Sequence, residues 1–273
     1  MERSQTTYKL INLLGVDFYL VFYIITSMHV SIAAERLFNI GPLPVTNSLL
    51  VTWLAILFII IITILIRSKQ NIIPVGIQNV VEYLLEYFYG LVCDVFESEE
   101  KGRKYFPLVM TIFIFVLMIN WLGLFPGVGS IGFSHYTEGE KIFVPLFRGA
   151  AADLNTTIAL AFISVFMTQV FSIKEIGIKG FVKRFIKLKS PIFFFVGILE
   201  LISEFIKVIS LAFRLFGNIF AGEVLLLVMI FLVPFIVPVP FLALEVFVGI
   251  IQALIFALLT LFFIRFATLE EGH

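Results

Sequence analysis

The run Ile209-Ser-Leu-Ala-Phe-Arg-Leu-Phe-Gly-Asn-Ile-Phe-Ala-Gly-Glu223 places a guanidinium, Arg214, inside an apolar segment that extends from Pro191 to Val233. Arg keeps its proton at any accessible pH, and a charge near the centre of a bilayer costs about 2.5–3.5 kcal/mol on insertion scales. A cation held at that cost marks a functional site by default, and the rest of the chain has to say which function it serves.

Working outward from Arg214, the whole chain proves apolar. It is 60% hydrophobic and 14% charged, whereas soluble domains average about a quarter charged. That composition implies an all-α polytopic membrane protein. The formal net charge is zero, so the basic excess expected of a nucleic-acid binder is absent. No Gly-rich phosphate loop and no zinc-type Cys/His cluster occurs, and neither cofactor nor metal is implied. The single cysteine, Cys93, excludes an internal disulfide. His29, His135 and His273 are scattered, and no nucleophile, base and orienting acid stand together as a hydrolase would need.

A helix rises about 1.5 Å per residue, so about 20 apolar residues cross a 30 Å hydrocarbon core. Residues 48–66, 107–125 and 155–173 meet that length. Two further stretches, 191–233 and 238–266, are separated by Pro234, Pro238 and Pro240, which stop a helix. One integral membrane domain is therefore expected, with about five membrane-crossing helices, the last two forming a long hairpin. At roughly 60 Å, the 191–233 helix is twice the bilayer core and has to tilt strongly or protrude. Residues 74–96 repeat apolar side chains such as Leu84, Leu85, Phe88 and Val92 at helical spacing, with Glu82, Glu86 and Asp94 elsewhere. This amphipathic helix has an acidic polar face, which favours docking on protein over anionic lipid. In the N-terminal segment, 1–46, the apolar stretch Leu10–Val30 is interrupted by Asn12, Asp17 and His29. It fits a signal-like region, an interfacial helix or a poor span.

Between Ser172 and Ser190 six basic residues face one acid, Glu175. The positive-inside rule puts that loop in the cytoplasm and the charge-balanced segment 126–152 on the other side. The C-terminus is then cytoplasmic.

On a helix turning about 100° per residue, Glu200, Ser203, Lys207, Ser210 and Asn218 fall within about 40° of Arg214. Such a stripe is an interhelical hydrogen-bonding seam, a salt-bridged stitch between Lys207 and Glu204 or Glu200, or the lining of a water-accessible path. Glu223 lies on the opposite side of the helix and about 13 Å toward the outer face, while Glu200 lies about 21 Å toward the cytoplasm. A fixed cation thus stands between two partial polar paths. In the last helix Glu245 and Gln252 share one face with Gly249 between them. Glu245 either joins Glu223 in an outer proton path or faces the headgroups. Asp153 is placed to cap the helix that follows it, with a part in the outer path as the alternative, and Asn120 is the polar residue of the second span.

The Ser210–Glu223 run is similar to the a-subunit family of the F-type rotary ATP synthase. The resemblance continues through Glu200 and Ser203, Glu245 with Gln252-Ala-Leu-Ile-Phe256, Ala152-Asp-Leu-Asn-Thr156, Asn120-Trp-Leu-Gly-Leu-Phe-Pro126 and Gly41-Pro-Leu-Pro-Val-Thr-Asn47. Glu223 stands where mitochondrial members typically carry His, which places the chain nearer the bacterial and chloroplast branch. The resemblance implies a long tilted hairpin embracing a ring of small apolar subunits, each with one buried carboxylate, in the bacterial plasma (inner) membrane. It also implies a peripheral-stalk subunit and the rest of the ATP synthase as partners. Arg214 would face the ring carboxylates. Glu223, Glu245, Gln252 and Asn218, with Asn120 and Asp153, would line the outer half-channel, and Glu200, Ser203, Ser210 and Lys207 the cytoplasmic one. Two positions depart from the family: Val208 stands where some members have Pro, and Glu245 where many bacterial members have His. The rival reading, a self-contained secondary transporter, would normally show paired halves with broken helices, and no such pairing is visible.

Overall fold

The computed structural model describes residues 34–68, 76–125, 128–129, 131–137, 140–186, 191–232 and 236–268. The expectations for Leu10–Val30 lie outside the described residues. Six helices carry the described fold: α1 (Asn47–Ser68), α2 (Ile77–Phe96), α3 (Glu99–Gly123), α4 (Leu154–Phe185), α5 (Pro191–Leu232) and α6 (Pro238–Thr268). The chain is an all-α polytopic membrane protein. α1, α3, α4 and α6 are each long and apolar enough to cross a membrane by length and composition. α5, at 42 residues, is the longest helix and the one that carries the charged stripe.

α5 packs along α4 and α6, α3 runs along α6, and α2 lies against α3. Small residues make the α3–α6 contact close, as is usual between membrane helices. Ala253 and Ala257 are fully buried beside Val116 and Ile119, and a Cβ on Gly249 would sit 3.3 Å from Asn120 Cβ. On α1, by contrast, Trp53, Leu57, Ile60 and Ile64 are exposed, as a lipid-facing helix requires. α2 turns its apolar face to protein. Phe88 lies 4.5 Å from Phe113 and Phe96 4.6 Å from Tyr105, ring centre to ring centre.

Three local features differ from the sequence expectation. α3 begins at Glu99, eight residues before Pro107, because Ser98 Oγ accepts a bond from Lys101 N at 3.4 Å and Glu99 and Glu100 suit the positive helix end. A charged first turn hides the start of a span from any hydropathy argument. The basic stretch expected as a loop is helical as far as Phe185, broken at Gly177, whose φ of 73° and ψ of 164° suit glycine alone. Residues 178–185 form an arm beyond that break. Finally, two antiparallel hairpins appear: β1 (Arg36–Ile40) with β2 (Leu43–Thr46) leads into α1, and β3 (Gly132–Thr137) with β4 (Glu140–Pro145) lies between α3 and α4. Gly41, at φ 61°, makes the first turn.

At one end of the bundle Glu175 ties α4 to α3. It accepts from Lys104 Nζ, and from Tyr105 Oη at 2.5 Å. The Lys104 bond first, and the Tyr105 bond second, hold the Glu175 carboxyl below the usual carboxylate range.

Candidate functional site

Arg214 lies on an open face of α5. Ser210, Arg214, Gly217, Asn218 and Ala221 are all exposed and recur at spacings of three and four residues, which is one side of a helix. The other side of the same stretch, Leu211, Ala212, Leu215 and Ile219, is buried. The described partner of Arg214 is Ser210, whose Oγ accepts from Nη2 at 3.4 Å. Among the described residues no carboxylate pairs with this guanidinium.

The polar stripe divides below Arg214. Ser210, Arg214 and Asn218 are exposed, whereas Glu200, Ser203 and Lys207 are half-buried. The lower three join a charged cluster. Glu204 Oε1 accepts from Lys207 Nζ at 2.7 Å and from Arg184 Nη2 at 3.2 Å, and Glu200 accepts from Arg184 Nε. Ser203 Oγ donates to the Glu200 backbone carbonyl at 2.7 Å. The lower part of the stripe holds the Lys207–Glu204 pair, one of the alternatives weighed for it, and its upper part is exposed.

Glu245 of α6 packs on α5 at the residue just before Glu223. Glu245 is buried, and its carboxylate lies against Gly222, where any side chain on α5 would overlap it. The next residue, Glu223, is half-buried and its Oε2 has no described hydrogen-bond partner. Arg148, buried just before the short turn Ala150–Ala152 that packs on α5, is within Coulombic reach of Glu223. One and two turns along α6 from Glu245 are Gly249 and Gln252, the latter also buried. Asn120 Nδ2 donates to the Gly249 carbonyl at 3.1 Å, and Trp121 Nε1 donates to that of Val246 at 3.3 Å. Asn120 Oδ1 is buried without a described partner, an acceptor left over beside the Glu245–Gln252 face.

Asp153 does other work. Its carboxylate accepts from Asn155 N at 3.1 Å and caps α4, while Ser48 Oγ donates to Oδ2 at 2.7 Å and fastens the start of α1. The described contacts of Asp153 are with these helix starts and not with Glu223 or Glu245.

Four contributors were not singled out from sequence: Arg184 and Gln169 at the lower cluster, Arg148 near Glu223, and Gly222 opposite Glu245. Only Gly222 left a trace, as a small residue beside a glutamate. The other three are brought in by tertiary structure.

The family model described as ATP synthase A chain matches residues 49–265. The chain belongs to that family. A subunit a of ATP synthase from Moorella thermoacetica is 33% identical over 240 residues, covering 87% of this chain and 97% of the relative. One from Gloeobacter violaceus is 36% identical over 235 residues, covering 85% of this chain and 87% of the relative. A subunit a 3 from Pelobacter propionicus is 37% identical over 225 residues, covering 81% and 87%. As an ATP synthase A chain, the protein is an integral membrane component of the ATP synthase complex.

Proposed function

We propose that this chain is the stator of the proton-driven rotor, with two offset half-channels that couple transmembrane proton flow to rotation of a ring of small apolar subunits. The observation that carries the reading is Arg214, a permanent cation on an exposed helix face to which no carboxylate is paired among the described residues. A cation in lipid surroundings needs a counter-charge. A ring presenting one buried carboxylate after another supplies it without fixing it.

The cycle follows from charge. A ring carboxylate opposite Arg214 is ionised, because the adjacent cation stabilises its anion. Moving to the outer path, at Asn218, Glu223, Glu245 and Gln252, it takes up a proton. Neutral, it can travel through lipid, where the anion could not. Near the end of the turn it gives its proton to the cytoplasmic path, at Ser210, Lys207, Ser203 and Glu200, and meets Arg214 again. Arg214 blocks a direct run between the paths, since it repels a cation and does not release its own proton. One elementary charge crossing 100 mV yields about 2.3 kcal/mol, so several protons have to serve each ATP. The nucleotide chemistry belongs to other subunits, and a peripheral-stalk subunit holds this one still. In this reading the C-terminus is cytoplasmic and the membrane is the bacterial inner membrane.

Cross-linking tests the ring-facing surface. A cysteine at Ala221, on the open face, is expected to cross-link to a ring subunit in the assembled complex. One at Ala212, on the buried face, is not. Equal cross-linking at both, or none at Ala221, would refute the docking of the ring on this face.

A further inference from the structure

Beyond the break at Gly177, the arm of α4 is fastened to the first half of α5 by backbone and by charge. At Gly197 the α5 backbone meets the Phe185 carbonyl so closely that a side chain there would overlap it. One residue earlier, Arg184 forks across a full turn of α5, with Nε on Glu200 Oε1 and Nη2 on Glu204 Oε1 at 3.2 Å. Glu204 is buried and accepts also from Lys207 Nζ at 2.7 Å and Gln169 Nε2 at 2.7 Å. Two cations, two carboxylates and an amide thus meet where the cytoplasmic end of the stripe begins. Arg184 Nη1 and Gln169 Oε1 are buried there without described protein partners, a leftover donor and acceptor that suit bridging water.

We infer that Arg184 is a positioning residue for the cytoplasmic proton path, holding the Glu200 carboxylate in the exit while Glu204 anchors Arg184. This rests on the stator reading above and extends it to residues that reading leaves out. The fork is the reason for arginine. A planar guanidinium binds two acceptors in fixed relation, whereas an ammonium is a point charge on a flexible stem. Glu204, held by three donors from three different residues, has no freedom to leave. Glu200 is then oriented through Arg184 by a rigid anchor one turn away, and a group that passes protons has to stay within hydrogen-bond reach of its donor or of water.

The test uses the assembled complex in vesicles, with gradient-driven ATP synthesis normalised to the amount of complex. Arg184→Gln is expected to slow synthesis about tenfold or more, as misplacement of a reacting group does. Arg184→Lys is expected to stay slow, since it restores charge without the fork. The decisive comparison is Arg184→Gln in a Glu200→Asp background, where the shortened carboxylate is already out of the fork's reach. A positioning residue then adds less than about a twofold further loss, because its effect acts through Glu200. Losses that multiply show a fastener of the arm and overturn the inference, as does a wild-type rate in Arg184→Gln or in Glu200→Asp. Should Arg184→Gln fail to assemble, Glu204→Gln takes its place in the same comparison with the same criteria. Coupled synthesis by an Arg214→Ala complex would remove the stator reading itself, whereas failure of the Arg184 comparison alone removes only this inference.

Discussion

Adding one methyl group at Gly222 probes the packing of Glu245 on α5 while leaving both Glu223 and Glu245 in the chain. In Gly222→Ala the new Cβ falls on the Glu245 carboxylate, and Glu245 is only 5% exposed, so it has no open space into which to swing. Overpacking a closed site costs about 1–3 kcal/mol. The better helix propensity of Ala returns about 0.5–1 kcal/mol, leaving a net destabilisation of up to about 2.5 kcal/mol. Gly90→Ala is the control, because nothing lies within 4 Å of a Cβ built there on α2. It is expected to leave stability unchanged or raise it by about 0.5–1 kcal/mol. The assay is the thermal midpoint of the solubilised complex, read beside proton flux in vesicles. Gly222→Ala should lower both. Combining it with Glu245→Ala should relieve the clash, so the stability losses are less than additive, while flux stays low because the carboxylate is gone. If Gly222→Ala is as stable as Gly90→Ala, or if the two losses simply add, the packing of Glu245 on α5 is wrong.

Asp153→Ala removes an N-cap, worth about 0.5–2 kcal/mol, and a charged bond from Ser48, worth about 1.5–3 kcal/mol. A combined loss of about 2–5 kcal/mol is expected in the thermal midpoint, with flux per assembled complex unchanged; a stable variant with lost flux would instead return Asp153 to the outer path. Glu175 sets a pH dependence. Its carboxyl is held down in the folded state by Lys104 and then Tyr105, so the unfolded chain binds the proton more readily. Its contribution is fully present above the ordinary carboxylate value and disappears as pH falls through the lower folded value. Wild type should therefore lose its stability advantage over Glu175→Gln only in that acidic window, and an advantage that changed between neutral and mildly alkaline pH would contradict the assignment.

The long helices were legible because apolar length and a 3.6-residue period are local properties of the chain. Arg214 was legible because a cation in such a segment has no cheap structural explanation, and the turn arithmetic correctly separated the Arg214 face from Glu223. Features set by tertiary neighbours were not. Arg184, on the arm beyond the Gly177 break, reaches Glu200 and Glu204 from 16 and 20 residues away, and nothing in a basic stretch distinguishes that arginine from the lysines around it. The start of α3 was hidden by charges that favour a helix terminus while lowering hydropathy. Lys207 could be read either way, as ion pair or path lining, because its partner Glu204 is one turn away on its own helix.

The central claim is that Arg214 couples and separates the two paths. It is tested most directly by gradient-driven ATP synthesis in vesicles carrying the fully assembled Arg214→Ala complex. The account predicts that synthesis is abolished although the complex assembles, with passive proton leak permitted because the barrier is gone. Synthesis at the wild-type rate would contradict it.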